Sequence, residues 1–349
     1  MSLVRPLVPP LVRSSLPILL GRYPTPVERV DALSTPESDF WVKRDDLTHA
    51  VYGGNKVRKL ERIISEAKAR GATRLVTIGA AGSHHVLATT YFGRRAGLEI
   101  EAVLVPQPST PHVLDILRAD VALGLHAFPV SSWSAAPLAI GLRIAAGAWS
   151  VTVGGSNVSG AMGYVDAGRE LAAQVQRGDL PEPDVCVVAL GSGGTAAGLA
   201  AGFAAARLKT YVVGVCVSSP QWVLRLAALL LARACARRAG VDVTLASMRS
   251  RLRFDGRFLG PGYGHVTAAG DDATMLARDA AGLTLDPTYT AKTFASALWH
   301  VRARRARHVL YWHTLSSAPM APLLEGAPDL ECLDPALRRL ATSLPSALG

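Results

Sequence analysis

Lys56 lies in Tyr52-Gly53-Gly54-Asn55-Lys56-Val57-Arg58-Lys59-Leu60-Glu61, one amine beside two glycines and an amide. Far downstream, Gly191-Ser192-Gly193-Gly194-Thr195-Ala196-Ala197-Gly198 reads as a glycine-rich anion cradle that opens a helix. A strand, such a turn and a helix aim backbone N–H groups at an anion, with the helix dipole behind them. Gly193 and Gly194 allow close backbone approach, and Ser192 and Thr195 add hydroxyl donors. The loop lacks the lysine of a P-loop, which argues against nucleotide hydrolysis. Lys56 and Lys59 stand three apart at a helix start and share a face. Burial or a neighbouring charge lowers a lysine pKa and makes the amine nucleophilic. An amine that forms an imine and a cradle for a phosphate are the two things pyridoxal phosphate needs from a protein. The other lysines are Lys43, Lys68, Lys209 and Lys292, so few amines compete for that role.

These residues need elements to hold them. Phe40 to Lys43 predicts a short strand ending in the charged turn Arg44-Asp45-Asp46. Asn55 to Ala69 predicts a helix with Leu60, Ile63, Ile64 and Ala67 on one stripe, stopped by Gly71. Arg74 to Ile78 is a β run, His84 to Ala96 the next helix, Ile100 to Val105 another strand. The rhythm continues to a strand at Val151-Thr152-Val153 and a helix from Tyr164 to Gln176. Asp184 to Leu190 is nearly continuous apolar sequence, the mark of a parallel strand buried on both faces. An alanine-rich helix follows the glycine-rich loop, then strands at Tyr211 to Val217 and Arg307 to Trp312. This alternation predicts an α/β architecture with ligands at the carboxyl ends of the strands.

A chain of 349 residues, 49% hydrophobic and 18% charged, is globular and long enough for two domains. The net charge of +10 is scattered as arginines such as Arg94-Arg95 and Arg237-Arg238, with no aromatic-interleaved stripe, so nucleic acid is not an expected partner. The dense run Arg302 to Arg307 reads as the solvated face of a helix. Cys186, Cys216, Cys235 and Cys332 are far apart, which fits a reduced cytoplasm with neither a disulfide framework nor a zinc site. Met1 to Leu20 is a poor secretory signal, broken by Pro6, Pro9, Pro10, Arg5 and Arg13. Val121 to Leu142 and Val185 to Arg207 lack internal charge, and buried α/β segments explain both better than membrane spans. No membrane partner is expected.

Taken together, the segments resemble the D-cysteine desulfhydrase and 1-aminocyclopropane-1-carboxylate deaminase family, within the tryptophan-synthase-β-like (fold type II) class of pyridoxal phosphate enzymes. The resemblance runs from about Tyr23 to Pro319. It rests on Pro24-Thr25-Pro26-Val27-Glu28-Arg29, Lys43-Arg44-Asp45-Asp46-Leu47-Thr48 and the Lys56 segment. Gly155-Ser156-Asn157 with Gly163-Tyr164-Val165, the glycine-rich loop, Gly260-Pro261-Gly262-Tyr263-Gly264, Leu285-Asp286-Pro287-Thr288-Tyr289-Thr290 and His313-Thr314 follow in the family's order. The resemblance implies a two-domain α/β fold of three-layer open parallel sheets. A small domain, 60–159, would be inserted into a large one of 1–59 plus 160–349.

It also implies roles. Lys56 forms the imine with pyridoxal 5'-phosphate, Lys59 lies near the phosphate, and Ser192, Gly193, Gly194 and Thr195 hold it. Asn55, Ser156, Asn157, His84 and Thr314 line the cofactor. Ser83, His84, His85, Tyr263, Tyr289 and Thr290 face the substrate, with Ser83, Tyr263 and Tyr289 in catalytic positions. Thr290 and Thr314 stand where the deaminases carry glutamate and leucine. They match the desulfhydrase pattern, in which a threonine gives the pyridine nitrogen a neutral hydrogen bond. The chain departs from the family where His84 replaces an asparagine, Leu87 an arginine and Leu315-Ser316 a pair of glycines. His84, His85 and His313 lack an acidic partner at metal-site spacing, so no metal is expected.

The expectation is a lyase eliminating the β-substituent of a small amino acid, D-cysteine first, to give pyruvate, sulfide and ammonia, in a homodimer. Rivals are a 1-aminocyclopropane-1-carboxylate deaminase, and a cofactor-binding protein with little or no turnover, which His84, Leu315 and Ser316 keep open. A dinucleotide oxidoreductase needs an acidic ribose ligand about 20 residues past the first glycines, and Tyr211 to Pro220 supplies none.

Overall fold

In the computed structural model, which describes residues 18–218 and 220–342, the chain forms two open sheets. The larger runs, edge to edge, Val27–Arg29, Asp39–Arg44, His308–His313, Val185–Leu190, Tyr211–Cys216 and Leu252–Asp255. All its pairings are parallel except that of the first edge strand. The smaller runs His126–Pro129, Glu99–Val105, Arg74–Ala80 and Trp149–Ser150, parallel throughout.

Alternation along the strands builds the layers. In His308–His313, Leu310 and Trp312 pack with Tyr164, Leu171 and Phe203 on one face. Val309 and Tyr311 pack with Phe40, Phe294 and Leu298 on the other. Helices Val158–Arg177, Gly194–Ala205 and Gln221–Arg238 cover the first face, and Ala268–Ala281 and Thr290–Arg302 the second. The small sheet has Asn55–Ala69, His84–Arg95 and Pro111–Ala122 on one side and Ala136–Ala145 on the other. The predicted stripe Leu60, Ile63, Ile64 and Ala67 is fully buried in that core. Leu323, Leu333, Leu337 and Leu340, grouped by sequence with the large unit, pack into the small sheet's core too.

Several segments depart from their sequence reading. Only Trp149–Ser150 pairs as a strand, and Val153–Gly155 turns as a short 3-10 helix. The helix expected from Tyr164 starts at Val158. Arg302 ends its helix and Arg304 to Arg307 form the following turn, so that run is not a helix face. Val185 to Arg207 is buried as expected, but the edge segment 121–142 leaves Leu138 73% and Leu142 61% exposed. No helix among the described residues is long and apolar enough to cross a membrane. Cys186, Cys216 and Cys235 are buried and Cys332 is exposed. Apart from 18–20, the Met1 to Leu20 segment lies outside the described residues.

Candidate active site

The helix Asn55–Ala69 carries Lys56 and Lys59 in its first turn. Gly54 enters it at φ 91°, where a Cβ would stand 2.6 Å from the Thr314 carbonyl oxygen, so a side chain is excluded. The Asn55 N–H donates to that same carbonyl at 3.1 Å, and the Gly54 N–H to the Asp45 carbonyl at 2.9 Å. Ser316, in the departing Leu315-Ser316 pair, accepts from the Gly53 N–H at 2.9 Å. The loops after two neighbouring strands therefore fix where the amine begins.

Behind this helix the charges are paired. Arg58 donates to Asp45 at 2.8–3.1 Å and to Glu170 at 2.9 and 3.1 Å. Lys43 donates to Glu170 at 2.6 Å and Gln174 at 2.5 Å. Tyr164 and the Trp312 indole each donate to Asp45 at 2.7 Å. Although burial disfavours its charge, the Arg58 and Lys43 cations hold the Asp45 carboxyl below the usual range.

In front, neither amine has a carboxylate within bonding distance. The Lys56 amine donates to Asn55 Oδ1 at 3.1 Å. Burial pulls its pKa down to about 8, with the Asp286 carboxylate opposing. The Lys59 amine donates to the Gly154 carbonyl at 3.0 Å and Ser156 Oγ at 3.4 Å. Burial, reinforced by the charge of Lys56, pushes it well below an ordinary lysine. Asn55 Nδ2 reaches Thr195 Oγ1 at 3.2 Å, and Ser156 Oγ lies 2.7 Å from Ser192 Oγ and accepts from the Gly194 N–H at 3.1 Å. Ser192, Gly193, Gly194 and Thr195 thus meet Asn55, Lys59 and Ser156 in one place. Asn157 turns away to cap its helix at the Gly160 N–H.

The remaining candidates divide. Tyr263 and Tyr289 share a 2.8 Å contact between hydroxyls, and the Tyr289 ring covers Gly191. Ser83 caps the helix His84–Arg95. His84 sets Nδ1 2.7 Å from the Tyr52 hydroxyl and Nε2 3.1 Å from His112 Nε2. Burial lowers its pKa to about 4; Asp286 opposes this, while His112 and Lys56 add to it. His85 is buried, with Nε2 2.9 Å from Thr77 Oγ1. Thr290 is buried, donating its hydroxyl proton to Asp286 Oδ2 at 2.7 Å and accepting from the Asp286 N–H at 2.6 Å. The Thr314 hydroxyl has no hydrogen bond among the described residues, which leaves it, not Thr290, with a donor to offer. His313 is buried; its Nδ1 contacts the Tyr311 hydroxyl at 2.9 Å and its Nε2 has no partner among the described residues.

Sequence reasoning missed Asp286 as a site residue, although its charge reaches Lys56, His84, Tyr263 and Tyr289. Its carboxylate accepts the N–H groups of Thr288, Tyr289 and Thr290 at 2.7–3.1 Å. An Asp-Pro pair before a helix is a readable start signal. Tyr52, the partner of His84, gave none.

Residues 18–314 match the family model described as pyridoxal-phosphate dependent enzyme. The chain belongs to this family. Its cofactor is pyridoxal 5'-phosphate. Among curated relatives, a D-cysteine desulfhydrase of Yersinia enterocolitica is 35% identical over 314 residues, 83% of this chain and 90% of that protein. One of Salmonella paratyphi A is 31% identical over 308 residues, 83% and 91% respectively. Among solved structures, an ACC deaminase homologue superposes with a TM-score of 0.75 at 26% identity, covering 90% of this chain and 97% of that one. The pyridoxal-phosphate-dependent enzyme thus has the α/β, fold type II architecture expected of it.

The residues present fit the cofactor. Two amines stand together with no bonded carboxylate, which favours an anion. The helix Gly194–Ala205 opens at Gly193 without a side-chain cap from that residue; Ser156 takes the Gly194 N–H, and the Thr195 and Ala196 N–H groups, unbonded among the described residues, are left to such a ligand. A Cβ on Gly194 would stand 2.5 Å from Ser156 Oγ and 3.0 Å from the Lys59 amine, filling the cradle.

Proposed function

We propose that this enzyme eliminates the β-substituent of a small amino acid, with D-cysteine as the leading substrate and pyruvate, sulfide and ammonia as products. The observation that carries the reading is the pairing of an uncharged-capable amine, Lys56 at a pKa of about 8, with threonines at 290 and 314. Deaminases of the resembled family carry glutamate and leucine there. The names of the curated relatives support the same substrate.

When bound, the cofactor withdraws electrons from the substrate's α-carbon. The chain's own residues do the rest. Lys56 would hold the cofactor and move the α-proton. Ser192 to Thr195, Ser156 and Lys59 would hold its phosphate, and Asn55 ties that cradle to the helix start. The Thr314 hydroxyl would offer the cofactor a neutral hydrogen bond, which would favour expulsion of a good leaving group such as thiolate over the opening of a cyclopropane. Ser83 and His84 lie at the substrate, and Tyr263 and Tyr289 close the opposite side as a hydroxyl pair. His85, beside His84 on the same helix, is buried on Thr77. We read the site as lying between the units 60–159 and 1–59 plus 160–349. The protein is read as a cytoplasmic homodimer; the exposed stripe Trp222, Leu226 and Leu230 on one helix supports the second copy.

The test is to load the purified protein with pyridoxal 5'-phosphate, supply D-cysteine, and assay sulfide and pyruvate together. Equimolar products support the reading. Product from 1-aminocyclopropane-1-carboxylate instead, or a shifted visible band with no product from any D- or L-amino acid, overturns it in favour of the deaminase or the silent binder.

A further inference from the structure

His84 is this chain's own departure, and its surroundings are built around its two nitrogens. Nδ1 lies 2.7 Å from the Tyr52 hydroxyl, and that hydroxyl also lies 3.2 Å from the His84 carbonyl oxygen. Nε2 lies 3.1 Å from Nε2 of His112, whose side chain is exposed to solvent. Two imidazole nitrogens that close are hydrogen-bonded only if a proton sits between them.

The heavy atoms accept two proton arrangements without moving. In one, Tyr52 donates to His84 Nδ1, His84 Nε2–H donates to His112, and the His112 proton is on Nδ1. In the other, Tyr52 donates to the His84 carbonyl, His84 Nδ1–H donates to Tyr52, and His112 Nε2–H donates to His84. Each group keeps one proton in both. From the second, a proton taken from solvent by His112 Nδ1 lets its Nε2–H pass to His84 Nε2, which leaves the inner ring with both nitrogens protonated and the exposed ring neutral. The groups that face His84 are Tyr52, His112, Lys56 and Asp286. The charges of Lys56 and Asp286 both act on the inner ring, which follows Ser83 at the head of its helix. Among the described residues no group of three ligands stands there for a metal.

We propose that the His84–His112 imidazole pair, oriented by Tyr52, is the port through which this site exchanges protons with solvent. The inference rests on the elimination reading for its substrate chemistry. D-cysteine and water give pyruvate, ammonium and hydrogen sulfide with no net change of charge. Within that balance the Cα–H bond breaks and its electron pair becomes the Cα=Cβ bond, while the Cβ–S pair leaves on sulfur. The α-carbon gives up one proton, and sulfur and the β-carbon each take one. The second of those protons comes from water. His84 Nε2 delivers it, and His112 restores it from solvent. His84 is the donor; Tyr52 and His112 are positioning residues.

Two experiments test this. In the cofactor-free protein, imidazole nitrogen NMR should show the His84 tautomer altered by His112→Ala and again by Tyr52→Phe. With D-cysteine in dilute buffer, His112→Ala should slow turnover roughly 10–100-fold. Added free imidazole should restore it, which it could not do for a merely structural lesion. Unchanged His84 nitrogen signals in both variants overturn the proposal, as does a His112→Ala enzyme as fast as its parent and indifferent to imidazole. The NMR measurement needs no substrate. A parent that makes no sulfide would sink the elimination reading, while the nitrogen signals still decide the pair.

Discussion

Arg58 and Lys59 are neighbours on one helix, yet they enter opposite environments. Arg58 turns back to Asp45 and Glu170, where it meets carboxylate oxygens at 2.8 and 2.9 Å, ideal hydrogen-bond distances. Lys59 turns forward with Lys56 to a backbone carbonyl, one hydroxyl and an amide oxygen, with no carboxylate bonded to either among the described residues. A buried cation without a counter-ion is costly. The rear cluster spends its charges on one another and positions the helix. The front cluster keeps its charge deficit for an anion that arrives later. The difference separates a structural set of ionisable residues from a functional one.

Removing the centre of the front cluster has the largest effect. Lys56→Ala should lower turnover by about 10³-fold or more and abolish the visible band of the loaded enzyme; a variant that keeps both would end the assignment. Next comes the rear. Asp45→Asn leaves Glu170 as the one carboxylate for both Arg58 and Lys43, a positive charge in excess in the core, and should cost roughly 3–5 kcal/mol, read as a lower denaturant midpoint at unchanged slope. Lys59→Met should behave oppositely. Cofactor titration should show affinity reduced roughly 10–100-fold, while the cofactor-free protein melts no lower than its parent. A fall in that melting temperature like that of Asp45→Asn would erase the contrast between the clusters.

The smallest effect concerns a third kind of buried charge. Asp120 is fully buried, neither carboxylate oxygen has a hydrogen-bond partner among the described residues, and burial, opposed by the nearby Thr90 hydroxyl, pushes its pKa well above normal. Its folded pKa exceeds its unfolded value, so the native state binds the proton more tightly. The stability it contributes is complete below the unfolded value of about 3.9 and is lost as pH rises through the folded one. Asp120→Asn should therefore melt about 2–4 °C above its parent at pH 8, a gain that shrinks towards pH 4. Calorimetry across that range checks it, and a constant difference at every pH would refute it.

The local parts of this design were legible in the sequence. Helix Asn55–Ala69 was readable at both ends because a glycine pair precedes it and its apolar stripe is regular. The glycine-rich turn was readable because strand and helix flank it. The start of helix Val158–Arg177 was not, since Gly160 and Gly163 look like helix breakers. Their reason lies elsewhere in the chain. A Cβ on Gly163 would sit 2.0 Å from the Arg58 carbonyl oxygen, so the glycine lets two helices touch. Long-range pairings were hidden for the same reason. Glu170 joins Lys43 across 127 positions, and Tyr52 joins His84 through space rather than through any spacing rule. The missing strand at 151–153 shows a local pattern overruled. The chain instead turns there at Gly154, whose carbonyl accepts from Lys59.

The strand His308–His313 lies inside the large sheet, between Asp39–Arg44 and Val185–Leu190, although it is the last strand in the order of the chain. The carbonyl of Thr314, just beyond it, anchors the residue before Lys56. On the ribosome, the first helix therefore waits with its amine unplaced until residue 314 has emerged. Capture of the cofactor is thereby reserved for a chain extended past residue 314, and a product terminated before it would carry the reactive lysine without the site that directs it.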